Sequence, residues 1–160
     1  MKAVQRSFWT GARALADKAA AVLQVGALCM RDGKDGTEVL MVKSSRGRWI
    51  IPKGWTEDHL TDREAARAEA WEEAGVLKGK VSKVPVGGYM TEKRYDDGRR
   101  LPCHVTVYRI DVRKAVKDYP EAGLRRRKWM PLGKAAKKTK DRGLRELLKG
   151  LCKQDKASAA

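Results

Sequence analysis

The stretch GWTEDHLTDREAARAEAWEEAGV, residues 54–76, has a different texture from the rest of the chain. From Arg63 to Ala74 almost every residue is a good helix former: Ala65, Ala66, Ala68 and Ala70 alternate with Glu64, Arg67, Glu69, Glu72 and Glu73. Thr61-Asp62-Arg63-Glu64 fits a capping box, in which Thr61 caps the first turn and Glu64 reaches back. Gly75 stands where a helix C-terminus takes a left-handed residue. The spacing predicts a helix over 63–74, started by Thr61 and stopped by Gly75.

Glu69, Glu72 and Glu73 lie at i, i+3 and i+4 of that helix. At ~3.6 residues per turn they share one face within a single turn. Like charges so placed repel by roughly 0.2–0.5 kcal/mol per pair, so they do not serve the helix itself. A solvated acidic face is the commoner fate of such a pattern. The other account is a hard divalent cation: Mg²⁺ and Mn²⁺ prefer carboxylate oxygens and bridge substrate phosphates.

Outward from the helix, the chain alternates short apolar runs with turns. Gln24–Arg31 and Glu38–Lys43 flank Asp32-Gly33-Lys34-Asp35-Gly36, a hairpin pattern. Trp49-Ile50-Ile51-Pro52 reads as a short strand that the proline ends. Gly79–Tyr89 and Cys103–Val112 read as strands, separated by a polar loop over Thr91–Arg100 that carries Asp97-Gly98. Residues 113–128 are a charged connection, and Lys128–Pro131 reads as a last short strand. Leu132–Gly150 is expected to be one basic helical stretch, with Leu144, Leu147 and Leu148 on one side. The expected organisation is an N-terminal helix or arm over 1–22, one domain over 23–152 and a flexible polar tail over 153–160.

Composition narrows the partners. The chain has 160 residues, 42% of them apolar and 35% charged, enough for one domain with a core. The net charge of +16 points to polyanions. Cys29, Cys103 and Cys152 are widely spaced, which favours free thiols in a reducing compartment. His59 and His104 do not make a zinc site. No apolar run approaches the ~20 residues of a membrane span. A soluble, cytoplasmic protein with no membrane partner is expected.

Gly54 precedes Glu69 by fifteen positions, and Glu72-Glu73-Ala74-Gly75-Val76 closes the segment. Here the chain resembles the Nudix family, whose signature is GX5EX7REUXEEXGU, with U aliphatic. Gly54, Glu69, Ala70, Glu72, Glu73, Gly75 and Val76 fall on signature positions. Two positions depart from it: Leu60 replaces the first glutamate and Ala68 the arginine, with Arg67 one place earlier. An arginine at 67 points about 100° away from position 68. Roughly residues 24–150 are most similar to the branch of diphosphoinositol polyphosphate phosphohydrolases and dinucleoside polyphosphate hydrolases.

The resemblance implies an α/β fold, a Nudix-type α/β/α sandwich around a mixed sheet. It implies hydrolysis of a pyrophosphate bond with Mg²⁺ or Mn²⁺. Metal is then held by Glu69, Glu73 and the carbonyl of Lys53, with Glu72 a further candidate ligand; Glu72 or Glu73 orients or deprotonates the attacking water. Ser44, Ser45, Arg46 and Arg125 match phosphate-contacting positions of the branch, and Arg48, Lys53, Gly54 and Arg94 complete the substrate-binding set. Lys93, Arg94, Arg99 and Arg100 flank the Asp97-Gly98 turn as a second basic wall, and Glu92 is a candidate extra base. Where the branch has an arginine entering its first strand, this chain has Gln24, which weakens an inositol substrate. Trp55 is a candidate for stacking on a ring, and Trp71 is expected in the core. The substrate classes implied are dinucleoside polyphosphates and diphosphoinositol polyphosphates. An RNA 5′-pyrophosphohydrolase and a non-catalytic Nudix-fold nucleotide-binding module stand as alternatives.

Overall fold

The computed structural model describes residues 21–159, and the expected N-terminal helix over 1–22 lies almost wholly outside them. Eight strands form one mixed sheet: β1 (Val22–Gly33), β2 (Gly36–Lys43), β3 (Trp49–Ile50), β4 (Lys53–Trp55), β5 (Val76–Val81), β6 (Gly87–Arg94), β7 (Arg100–Ala115) and β8 (Arg127–Pro131). Among the described residues three helices accompany it: α1 (Asp62–Ala74), α2 (Leu132–Lys138) and α3 (Arg142–Ala159). Strands run in the order β3-β2-β1-β7-β5, with β4 on β1, β6 on β7 and β8 on β2. Among the described strands only β1 and β7 pair in parallel.

Period-2 alternation divides the core into two layers. Val25, Ala27 and Cys29 of β1 and Leu40 and Val42 of β2 face α1, where Ala65, Ala66, Ala70 and Ala74 are buried. Leu28 and Met30, with Val39 and Met41, face the other way, onto Leu132, Ala135, Leu144 and Leu148 of α2 and α3. The fold is therefore the α/β/α sandwich implied by the resemblance. Small residues on α1 let it lie close against the sheet, which holds its glutamates near the strand ends.

The α1 caps form as their residue types dictate. Thr61 accepts from the Glu64 N–H, the Glu64 carboxylate accepts from the Thr61 N–H at 2.7 Å, and Gly75 adopts φ 69°. Thr61→Ala is expected to cost about 1 kcal/mol, read as a lower urea midpoint at an unchanged m-value; an unchanged midpoint would show that the box carries no stability.

Several boundaries differ from those expected. Gly79–Tyr89 is two strands, because Ser82-Lys83-Val84-Pro85 breaks the run and the Ser82 hydroxyl bonds the Val84 carbonyl. The Thr91–Arg100 loop shrinks to a tight turn: pairing persists to Arg94 opposite Arg100, and Gly98 takes φ 87°. Leu132–Gly150 is two helices rather than one. The chain breaks at Thr139-Lys140-Asp141, where Asp141 caps α3 by accepting from the Leu144 N–H at 3.1 Å. The helix then continues to Ala159, through the segment expected to be a flexible tail, since Lys153, Gln154, Lys156 and Ala157 all favour helix. Trp71 is not in the core. It lies next to Ala70, which faces the sheet, so a rotation of about 100° turns it outward, beside Ala68 and Leu77 in a shallow surface groove.

Candidate active site

A cavity of about 410 Å³ opens where the β2–β3 turn, β4, α1, the β6 strand and the loop before β8 meet. Its lining gathers Ser44, Ser45, Arg46, Arg48, Lys53, Gly54, Glu69, Glu72, Glu73, Arg94 and Arg125, the metal, catalytic and substrate candidates, whereas Arg99 and Arg100 of the second basic wall do not line it. They come from distant parts of the sequence and meet for separate local reasons.

Pairing of β4 with β1 sets the floor, with Gly54 opposite Val25 and Lys53 opposite Gly26. Gly54 faces the Glu69 carboxylate so closely that a Cβ there would overlap it. The Lys53 N–H donates to Glu73 Oε2 at 3.3 Å. Its ammonium reaches Gln24 Oε1 at 3.2 Å, a diagonal contact on one face of the sheet. Burial lowers the Lys53 pKa. Gln24 itself is buried, at 4% exposure, and brings the Lys53 cation to the start of β1.

The carboxylates are strained electrostatically. Burial, then the charges of Glu73 and Glu72, push Glu69 up to about 7. Burial pushes Glu73 up to about 7, against the pull of Arg125. Glu72 is exposed at the cavity edge. Among the described residues no three acidic, histidine or cysteine side chains converge into a complete metal shell. The donors the cavity does offer are carboxylate oxygens, those of Glu69 and Glu73, and one or two carboxylates beside waters and substrate phosphates suit a hard divalent cation. The all-oxygen donor set and the mutual repulsion of Glu69 and Glu73 point the same way.

These shifts set a pH dependence. A carboxyl raised from 4.5 to about 7 keeps its proton in the folded state where the unfolded chain has lost it. The folded state binds more protons over that window, so the contribution is fully present below about pH 4.5 and is lost as pH rises through about 7. Without metal, the urea midpoint is expected to fall between about pH 5 and 8, and the Glu69→Gln/Glu73→Gln double variant to show a flatter slope. Mg²⁺ is expected to raise the wild-type midpoint at pH 8, through binding to the folded state alone. An identical slope in the double variant would show that other groups set it.

The rim is basic. Ser44 and Arg48 close the β2–β3 turn, with the Arg48 N–H donating to Ser44 Oγ at 3.2 Å. Arg46 crosses to the β6–β7 hairpin, donating to the Arg94 carbonyl at 3.2 Å and Asp96 Oδ1 at 3.0 Å. Lys93 sits 4.9 Å above the Trp55 ring, and Trp55 lines the cavity. Glu92 also lines it, 3.9 Å from Arg94 and 3.8 Å from Arg100.

The basic run over 125–128 divides by direction. Arg125 turns inward, 3.7 Å from Glu73 Oε1 and 3.6 Å from Glu121 Oε1. Arg127 stacks 4.8 Å over Tyr119 and bonds the Ala74 carbonyl at the end of α1. Arg126 and Lys128 are exposed. Arg67 does not replace the missing helix arginine: its guanidinium lies 3.4 Å from the Gly79 carbonyl, on β5.

Four polar lining residues were not marked as site residues by the sequence: Glu57, Thr91, Glu121 and Asp141. Asp141 Oδ2 pairs with the Thr91 hydroxyl while Oδ1 caps α3, joining the last helix to the cavity wall. Glu57 was within reach by its place three residues after Gly54; nothing local marks the other three.

A family model described as the NUDIX domain matches residues 22–151. Nudix hydrolase 16, mitochondrial, of Arabidopsis thaliana is 33% identical over 124 residues, 74% of this chain and 68% of that protein. Human diphosphoinositol polyphosphate phosphohydrolase 3-alpha is 36% identical over 115 residues, 69% of this chain and 64% of that protein. The chain thus spans between 50% and 68% of the lengths of such relatives. A Caenorhabditis elegans Ap4A hydrolase structure superposes with TM-score 0.61 at 19% identity, covering 88% of this chain and 99% of that one, which speaks to the fold. No helix among the described residues is long and apolar enough to cross a membrane. The signature glutamates on a capped helix, the sandwich around a mixed sheet and the match over residues 22–151 make this chain a member of the Nudix hydrolase family.

Proposed function

We propose that the protein is a metal-dependent pyrophosphohydrolase that cleaves a P–O–P link in a dinucleoside or nucleoside polyphosphate or a diphosphoinositol polyphosphate. One observation carries this reading: Glu69 and Glu73 meet Gly54 and Lys53 in a single cavity that also gathers Arg46, Arg48 and Arg94. The names of the human relative and the nematode structure add support for the substrate classes.

Mg²⁺ or Mn²⁺, when bound, would supply Lewis-acid activation of water and neutralise phosphate charge. Glu69 and Glu73, with the Lys53 carbonyl and Glu72 at the edge, would hold it. Glu72 or Glu73 takes the proton from the attacking water. Ser44, Ser45, Arg46, Arg48, Lys53 and Arg94 orient the phosphate chain, with Arg125 at the carboxylate end; arginine grips phosphate through two parallel N–H bonds. Gly54 keeps the backbone close to Glu69. We place the protein in the cytoplasm, a reading supported by its three free cysteines.

The test offers dinucleoside polyphosphates, a diphosphoinositol polyphosphate and triphosphorylated RNA to the purified protein with Mg²⁺ or Mn²⁺. Turnover of a small polyphosphate that stops on chelation is the expected result. The charge of +16 favours RNA as the second reading, and RNA turnover should then fall steeply with salt through counterion release. Ala68 and Leu60, which depart from the signature, favour a nucleotide-binding module; tight binding without turnover on every substrate would establish it and overturn the enzymatic reading.

A further inference from the structure

We propose that Arg125 is the positioning residue for the Glu73 carboxylate. This rests on the metal-dependent reading of the cavity. Within α1 no cation serves the glutamates. Arg67 is drawn to the Gly79 carbonyl, and Arg63 to the carbonyls of Val81 and Ser82 at 3.1 and 2.9 Å. Lys53, the half-buried cation of the floor, meets Glu73 only through its backbone N–H and has its ammonium on Gln24. That leaves Arg125, whose guanidinium sits between Glu73 Oε1 at 3.7 Å and Glu121 Oε1 at 3.6 Å.

Glu73 is held at both oxygens. Oε2 takes the Lys53 N–H and Oε1 faces Arg125, so the plane of the carboxylate is set from two sides. The loop that carries Arg125 is fastened to the same helix. The Val116 N–H donates to the Gly75 carbonyl at 2.9 Å, and the Glu121 N–H to the Glu72 carbonyl at 3.0 Å. The Arg125 N–H then donates to the Glu121 carbonyl at 3.2 Å. Tyr119 packs against Gly75, where a Cβ would meet its ring at 2.5 Å. A residue far from the helix in sequence is thereby held in register with its last turn, and a planar fork suits two carboxylates better than an ammonium does.

The test measures Mn²⁺ affinity of the substrate-free protein by the electron paramagnetic resonance signal of free Mn²⁺, together with kcat and KM. Coulomb's law alone makes a metal bind more tightly when a neighbouring cation is removed. A positioning role makes it bind more weakly. Arg125→Ala is expected to weaken Mn²⁺ binding at least about fivefold and to lower kcat about tenfold or more with KM within about threefold, as displaced catalytic groups do. Arg125→Lys, which keeps the charge and guards against misfolding of the alanine variant, should fall between. Unchanged or tighter Mn²⁺ binding in Arg125→Ala, with KM alone raised, would overturn the proposal and leave Arg125 a phosphate ligand. No Mn²⁺ binding by the wild type would instead overturn the metal-dependent reading beneath it.

Discussion

Glu73→Gln is expected to lower turnover at least about 100-fold, the scale of losing a catalytic contact, in a protein that remains folded. The substitution keeps the shape and removes the charge. Glu73 is 6% exposed, accepts from the Lys53 N–H and faces Arg125, so an amide must present its NH₂ to one of two donors. Either orientation loses the anionic oxygen that a metal or an attacking water would use. Stability should move the other way. The buried carboxyl of the metal-free protein is already pushed up to about 7, and a neutral amide escapes the cost of ionising there. Initial rates with Mg²⁺ and urea midpoints at pH 8 without metal check both halves. Turnover within about tenfold of wild type would remove Glu73 from the chemistry.

Gly54→Ala is expected to be nearly as damaging to activity, by a different route. The backbone there is not in the left-handed region, so alanine brings no dihedral strain. Its methyl would instead occupy the space of the Glu69 carboxylate. Glu69 must then swing away from the floor, and a displacement of about 1 Å in such a group can cost 100-fold. Overpacking of this kind costs about 1–3 kcal/mol of stability, which a folded domain withstands. Gly123→Ala, where a Cβ meets nothing within 4 Å, provides the comparison and should leave rate and midpoint unchanged. The measurement is kcat/KM against urea midpoint for both variants; equal rates would show that Glu69 has room to move without consequence.

Much of this site was legible in the chain because its central part is local. A capping box, an alanine-rich run and a terminal glycine specify α1 within fifteen residues, and the glutamate spacing places three carboxylates on it. The strands β1 and β2 announced themselves by apolar runs around a Gly/Asp turn. What escaped was set by tertiary contact. Trp71 looks like a core residue by type, yet the close packing of Ala70 and Ala74 leaves it outside. Asp141 sits in a run of basic residues and gave no sign that it would break the helix and reach Thr91. Glu121 and Arg125 meet α1 only because an irregular loop is fastened to it by backbone bonds, for which a sequence carries no period. The missing arginine at Ala68 was visible as a loss, and Arg125 as a candidate for phosphate, whereas its approach to Glu73 could be found only in three dimensions.

Asp141 has one further consequence, in the order in which the molecule is made. Gln24 and Asp141 line the same cavity and stand 117 positions apart, so its wall is incomplete until nearly the whole domain has been synthesised. Contacts of such long sequence separation form late and slowly, because the intervening chain must first be ordered. The nascent protein therefore passes through most of its growth with its acidic helix formed in sequence but no enclosed pocket around it. The mature protein inherits the same dependence: fraying of α3 from its Asp141 end would slacken Thr91 and open the cavity while the sheet remains intact.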